Sequence, residues 1–132
     1  RVPAGTRPGT PACRSGGNTR SVIAVGRPLD LRSGDGSGVV WGLAGEDLNI
    51  NVVAWPAGGG VEEHINTECD VLVTMIEGTL NVVLGDATHT LGVGQAIVLP
   101  RGNLRSLTAA GTGARYLTTH RRRGPLTLST PD

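Results

Sequence analysis

The sequence contains no lysine and no phenylalanine, and Trp41, Trp55 and Tyr116 are its only Trp or Tyr residues. Nucleic-acid-binding proteins usually present a basic face and aromatic rings on which bases stack. This chain of 132 residues has few such rings and a net charge of +1. We therefore expect no nucleic-acid partner, and we expect a core built from Val, Leu, Ile and Ala.

Cysteine and long apolar runs are also scarce. The two cysteines, Cys13 and Cys69, are too few for a disulfide framework, so we expect two free thiols. No apolar run approaches the roughly 18 residues of a membrane-spanning helix, and residues 1–5 lack the apolar stretch of a signal peptide. These absences predict a cytoplasmic protein without a membrane partner.

Charge is present but segregated along the chain. Residues 1–32 contain six Arg and one acid, residues 33–100 contain nine acids and no Arg, and residues 101–132 again contain six Arg and one acid. This pattern predicts that the basic flanks lie beside the middle strands and neutralise their surface, within one chain or across a dimer.

Glycine, in contrast, is abundant, with 21 residues. Turns rich in Gly separate short β-branched runs, and no ten-residue stretch shows the helical period of 3.6. The predicted strands cover residues 21–25, 39–43, 48–55, 61–66, 71–76, 80–84, 87–91, 96–99, 104–108 and 115–120. The pattern is typical of an all-β sandwich or barrel in one domain. We assign residues 1–20 to an N-terminal arm rich in Pro, Gly and Arg, 21–124 to the barrel and 125–132 to a C-terminal tail.

Two segments of the acidic middle and the second flank have a motif-like spacing. The first runs from Gly58 through His64 and Asn66 to Gly78, and the second contains Gly94, Pro100, Gly102 and Arg105. Together they resemble the two motifs of the cupin superfamily, over about residues 39–120. The Gly and Pro spacing of the second segment matches the family pattern, and so does the Gly-to-His spacing of the first.

The resemblance implies a jelly-roll β-barrel (a double-stranded β-helix) that forms a homodimer and has a central pocket. In typical members the pocket holds a divalent metal on three His and one Glu. Here His64 matches the first His, but Asn66 replaces the second and Arg105 the third, and Asp70 lies near the Glu position. A guanidinium repels a cation, so we expect no cofactor. The alternative is one divalent transition metal held by His64, Asp70 and His120.

The residues after the first His suggest a polar face. In extended backbone His64, Asn66, Glu68 and Asp70 would share one side of the chain. An imidazole beside two carboxylates suits acid–base chemistry, so His64, Asp70 and Glu68 are the candidate catalytic residues. Arg105 would pair with Asp70 or hold an anionic ligand by two hydrogen bonds. The candidate ligand-binding residues are Asn66, Arg105, Tyr116, His120 and Trp55.

Three functions are compatible with these residues. The first is a metal-independent barrel that binds a small organic molecule, for which Arg105 suggests an anion, and catalyses an isomerase, cyclase or lyase reaction. The second is a non-catalytic ligand-sensing or structural barrel. The third is a metalloenzyme with a non-standard ligand set around His64. We also expect a homodimer, with the N-terminal arm exchanged or packed across its interface.

Overall fold

The computed structural model describes residues 25–122, which form seven β-strands and no helix, hence no helix that could cross a membrane. The strands are β1 (Gly38–Ala44), β2 (Leu48–Trp55), β3 (Gly60–Ile65), β4 (Val71–Leu84), β5 (Ala87–Leu91), β6 (Ala96–Leu99) and β7 (Leu104–Arg121). β2, β5 and β6 have the predicted bounds, and β1 and β3 differ from them by one residue at each end.

The seven strands form one antiparallel sheet that folds over on itself, because β4 and β7 are long enough to belong to two halves. The first half joins β1, β2, the second part of β7, the first part of β4, and β6. The second half joins β3, the first part of β7, the second part of β4, and β5. The result is an all-β jelly-roll barrel, which confirms the predicted fold class.

β4 and β7 bend between the two halves, at a place we call the bend end. The pairing of β4 with β7 shifts register next to Met75 and again after Gly78. The φ angles of Gly78 and Gly113 are +78° and +117°, a region that side chains disfavour. A Cβ atom on Gly78 would also collide with the carbonyl oxygen of Gly113. Glycine is therefore required at this bend by both conformation and close approach.

The strand boundaries predicted at this bend are wrong. Residues 71–76 and 80–84 belong to one strand, and so do residues 104–108 and 115–120, so residues 110–113 form no hairpin loop. The physical reason is that glycine marks a bulge or a bend inside a strand as readily as it marks a turn. Long strands that bend this way are what allow the sheet to close.

Side chains facing inward fill the barrel with aliphatic groups, as expected from the aromatic-poor composition. The buried cluster comprises Val53, Val73, Met75, Leu80, Val82, Leu91, Leu99, Leu107, Ala109, Ala114 and Tyr116. Trp55, Val61, Val71, Leu84 and Ile97 pack against it. The centre of the barrel is thus occupied by the protein's own side chains.

Arg32 of the first basic flank and Arg115 of the second connect the two flanks with each other and with the acidic middle. Arg115 donates hydrogen bonds to the carbonyl oxygens of residues 31, 33 and 34, at 3.3, 3.0 and 2.7 Å. The guanidinium groups of Arg32 and Arg115 also lie 2.8 and 4.0 Å from the carboxylate of Glu77. At Glu77, both flanks therefore neutralise the acidic middle within one chain, as predicted.

Other predictions fall on residues outside the described range. The N-terminal arm, residues 21–24 of the first predicted strand, and the C-terminal tail all lie there. Val25, the last residue of that predicted strand, lies in a turn. The homodimer stays a prediction.

Candidate functional site

Two loops close one end of the barrel, which we call the loop end. These are residues 66–70, between β3 and β4, and residues 100–103, between β6 and β7. The backbone N–H of Gly102 donates to the carbonyl oxygen of Asn66 at 2.7 Å. The N–H of Arg101 donates to the carboxylate of Asp70 at 2.9 Å. The two loops are therefore hydrogen-bonded to each other, and they hold the residues of the first motif against those of the second.

Asn66 shapes the first of these loops. Its side-chain oxygen accepts hydrogen bonds from the backbone N–H groups of Glu68, at 2.8 Å, and Cys69, at 3.3 Å. This is the local turn that an Asn side chain commonly makes. Because β3 ends at Ile65, the expectation that residues 64, 66, 68 and 70 share one extended face is wrong. Asn66 has a structural task, and its amide oxygen is already engaged by the backbone.

Arg105 is the buried charged residue of the loop end. Its backbone pairs with His64 on β3 and with Leu84 on β4, so the three side chains share one face of the sheet. Only 3% of Arg105 is exposed. One Nη donates to the carbonyl oxygen of Pro100 at 3.1 Å, whereas the buried Nε has no hydrogen-bond partner among residues 25–122. A buried guanidinium with an unused donor is rare, because an unsatisfied charged group is costly.

The direct ion pair expected between Asp70 and Arg105 is not formed. The Asp70 carboxylate is exposed and accepts the N–H of Arg101 instead. Burial lowers the pKa of Arg105, while the negative charges available at Cys69 and Asp70 raise it. The two acidic groups therefore lie within electrostatic range of the guanidinium without satisfying its Nε. The ion pair fails because the Asp70 side chain turns to the backbone of the neighbouring loop.

His64 stands next to Arg105 in the sheet and is exposed to solvent. Its Nδ1 lies 2.9 Å from the carbonyl oxygen of Glu62. A carbonyl oxygen can only accept, so Nδ1 must carry the hydrogen, and the neutral ring keeps its lone pair on Nε2. His64 thus has the tautomer of a base whose free nitrogen can receive a proton.

The residues at the metal positions of the family motif do not fit a divalent transition metal. Such ions take thiolate, imidazole or carboxylate ligands. Asn66 is used by the backbone turn. Val71, which takes the Glu position at the longer spacing of the family motif, has no ligand atom. Arg105 would repel the ion. Within residues 25–122, no group of three or more His, Cys, Asp or Glu could hold a metal ion.

His120 lies on the other half of the barrel from His64. It pairs with Asn49 of β2 near the end of β7, is half-buried, and places its Nδ1 2.9 Å from the carbonyl oxygen of Arg121. The alternative ligand set of His64, Asp70 and His120 does not form a metal-binding group among the described residues.

Trp55 and Tyr116 belong to the core rather than to the loop end. The indole N–H of Trp55 donates to the Tyr116 hydroxyl at 3.0 Å, and Tyr116 is 2% exposed. Burial raises the pKa of Tyr116 to about 12, and the hydrogen bond from Trp55 opposes that rise. Their role as ligand-binding residues stays a prediction.

The surface of the described residues includes a cleft at each end of the barrel. One, of about 240 Å³, lies at the bend end and includes Trp55, Glu77 and Arg115. The other, of about 530 Å³, lies at the loop end and is lined by Glu68, Cys69, Asp70, Arg101 and Arg121. The larger cleft brings two predicted site residues, Glu68 and Asp70, together with two arginines. It is a space that a small molecule could enter at the loop end.

The sequence reasoning missed the carbonyl oxygen of Pro100, which accepts from Arg105 at this end. It expected Cys69 to be a free thiol. Cys69 is buried and free, and it lines the larger cleft. The spacing of the second motif already placed Pro100 five residues before Arg105, but backbone acceptors leave no signal in side-chain patterns.

The sequence matches no protein-family model and no curated protein, but the fold has many solved counterparts. The conserved SPY1581 protein of Streptococcus pyogenes superposes with a TM-score of 0.64 and 22% identity, covering 80% of this chain and 95% of that one. A cupin-2 domain protein from Shewanella frigidimarina gives 0.55 and 20%, covering 69% and 84%. The cupin domain of Cnp3 from Schizosaccharomyces pombe gives 0.57 and 22%, covering 62% and 59%.

These likenesses show the fold: the chain has the jelly-roll barrel of a small cupin. They do not extend to function, because one barrel carries many unrelated chemistries. The chemistry has to be argued from the loop end itself.

Proposed function

We propose that this small cupin-fold protein binds a small organic anion at the loop end of its barrel, with Arg105 as the group that recognises the anion. The observation that carries the proposal is Arg105, which is 3% exposed and whose buried Nε has no acceptor within the part of the chain that the structure describes. Arg is well suited to carboxylates and phosphates, because its planar fork donates two parallel hydrogen bonds to them.

The energetics favour a ligand that supplies the missing acceptor. A buried donor without a partner costs on the order of 1–3 kcal/mol, and more when it is charged. The neighbouring Asp70 carboxylate is engaged by the backbone of Arg101. A ligand oxygen at the Nε would remove this cost and add a charge-assisted hydrogen bond.

The cleft at the loop end is consistent with a small ligand of mixed polarity. Its volume of about 530 Å³ lies in the range usual for small-molecule sites. Arg101 and Arg121 favour an anionic group there, while Glu68 and Asp70 disfavour a second one at their side. We therefore expect a ligand with one strongly anionic group rather than a polyanion.

The binding experiment is isothermal titration calorimetry with acetate, succinate and inorganic phosphate as probes. We expect at least one of them to bind, and Arg105→Met to weaken that binding about tenfold to a hundredfold, as for loss of a charged hydrogen bond. Arg115→Met is the matched control, because it removes an arginine of the same strand far from the loop end. If no probe binds, or if Arg105→Met binds as well as the parent protein, the proposal is wrong.

The position of His64 favours a catalytic version of the same function. Its free Nε2 and the Arg105 guanidinium belong to adjacent strands and to one face. A 2-oxo acid held by Arg105 through its carboxylate could present its C3 protons to the imidazole, and the ketone would take up the electron pair as an enolate, an arrangement suited to proton transfer.

The catalytic version is tested by NMR in deuterated water, with pyruvate as the reporter because its ketone activates the C3 protons. We expect deuterium to enter C3, His64→Gln to abolish this exchange, and His89→Gln, on the exposed strand β5, to leave it unchanged. Binding without exchange would leave the non-catalytic ligand-sensing barrel as the function.

A further inference from the structure

The interior of the barrel changes character one layer beyond the aliphatic core. Tyr116 and Leu107, both on β7, belong to the buried cluster, Tyr116 in the first half of the sheet and Leu107 in the second. Because side chains alternate along a strand, the next inward positions toward the loop end are Thr118 and Arg105. These two residues therefore lie in one layer, on opposite walls of the barrel, and facing sheets pack about 10 Å apart.

The strand register fixes the other members of this layer, because paired residues of neighbouring strands share one face of the sheet. Thr118 pairs with Asn51, and Arg105 pairs with His64, so the side formed by β2, β3 and β7 is polar. The side formed by β4 and β6 is apolar, and its residues are Val73, Ile97 and Leu84. A molecule in this layer meets hydrogen-bonding groups on one side and hydrocarbon on the other.

Solvent reaches this layer. Asn51 and Thr118 are half-buried and His64 is exposed, although all three belong to inward-facing rows. An inward-facing residue is open to solvent only where side chains do not fill the barrel. In the core layer, by contrast, Tyr116 is 2% exposed. The layer beyond the core is therefore open to a small molecule.

The hydroxyl of Thr118 is a donor that the fold uses weakly. It donates to the backbone carbonyl oxygen of Asn51 at 3.5 Å, longer than the roughly 2.5–3.0 Å of a normal O–H···O bond. The Asn51 side chain lies over Gly42 of β1, where a Cβ atom would collide with its amide oxygen. Because β1 and β7 lie on opposite sides of β2, the amide of Asn51 leaves the Thr118 hydroxyl uncovered.

We propose that Thr118 is a specificity-determining residue of the anion site, and that it selects 2-oxo acids by donating a hydrogen bond to the keto oxygen. The inference rests on the proposed function, because Arg105 has to bind the carboxylate of the same acid. A keto oxygen only accepts hydrogen bonds, so Thr118 has to donate, and the long bond to Asn51 is the one that it gives up.

The size and the polarity of the layer favour a short acid of this class. Once the long side chain of Arg105 extends from one wall, a gap of about 10 Å leaves room for few further atoms. The carboxylate and the second polar group therefore fall on neighbouring carbons, as in a 2-oxo acid. The apolar side of the layer suits the alkyl end, which needs no hydrogen-bond partner.

The experiment is isothermal titration calorimetry of the full chain with pyruvate and propionate, which share three carbons and differ in the keto oxygen. We expect the parent protein to bind pyruvate about threefold to tenfold more tightly, the effect of one neutral hydrogen bond. Thr118→Val should lower the affinity for pyruvate to that for propionate and leave propionate unchanged. Thr119→Val is the matched control and should keep the preference, because Thr119 pairs with the exposed Leu72 on the outer face of the same strands.

The outcomes separate this inference from the proposed function. If neither acid binds the parent protein, anion binding at the loop end is wrong and the selectivity falls with it. If both acids bind but the parent shows no preference, or Thr118→Val keeps it, the role of Thr118 is wrong while the anion site stands. An equal loss of both acids in Thr118→Val would indicate a structural role and overturn the inference. Thr118→Ser keeps the hydroxyl and should retain the preference, so its loss there would also contradict the inference.

Discussion

Two of the three arginines of β7, Arg105 and Arg115, differ sharply in their hydrogen bonding, and they lie toward opposite ends of the barrel. At the bend end, the side chain of Arg115 is 12% exposed, donates to three carbonyl oxygens and lies 4.0 Å from Glu77. At the loop end, Arg105 is 3% exposed, and among the described residues it donates to one carbonyl oxygen and leaves its Nε without a partner. A satisfied guanidinium stabilises the fold, whereas an unsatisfied one costs stability that a bound ligand can recover.

The two ends also differ in how closely the backbone packs. At the bend end, glycines bring two bent strands into contact. At the loop end, two connections with polar side chains surround a cleft of about 530 Å³. We infer that the bend end carries the stability of the fold and that the loop end carries its function, and the three predictions below test this division.

The largest effect is expected at the bend end, from Gly78→Ala. The new Cβ would collide with the carbonyl oxygen of Gly113, and the φ angle of +78° is strained for alanine. We expect a loss of about 3 kcal/mol or more in the free energy of unfolding, measured by urea denaturation. Gly58→Ala is the control: its φ is +86° but its Cβ would meet open space, so about 1 kcal/mol should be lost. Equal losses would show that close packing at the bend does not matter.

The glycine at this bend also shows how far the sequence can be read. The resemblance of the two motifs to the cupin pattern implied the jelly roll, which is confirmed. The pairing of His64 with Arg105 on neighbouring strands was not predicted. The sequence could not tell a bend from a turn at Gly78, because both use the same residue for the same conformational reason. It could not foresee that Asn66 would end β3 with a side-chain turn, since Asn also occurs inside strands. The sequence also could not show that Asp70 and Arg105 form no ion pair. The partner of each side chain depends on which groups lie nearest after folding, and a local sequence pattern does not contain that information.

A smaller effect is expected from Arg115→Met, also at the bend end. The change removes the hydrogen bonds to residues 31, 33 and 34 and the contact with Glu77, while the apolar stem is kept. We expect a loss of about 2 kcal/mol, because the carbonyl groups lie in an exposed loop and water replaces part of what is lost. Urea denaturation measures the loss, and limited proteolysis should cut the 31–34 segment faster than in the parent. An unchanged free energy of unfolding would mean that Arg115 contributes as little to stability as we expect of Arg105.

The smallest effect on stability is expected from Arg105→Met, although Arg105 is the more buried of the two. Methionine fills a similar volume without a charge, so the variant avoids the cost of a buried guanidinium with an unused Nε and loses only the bond to Pro100. Replacing buried ionic groups by apolar residues of similar size is often neutral or stabilising. We therefore expect a change between zero and a gain of about 1 kcal/mol in urea denaturation of the reduced protein without added anions. A loss as large as that of Arg115→Met would show that Arg105 stabilises the fold, and it would remove the main reason for locating the binding site at the loop end.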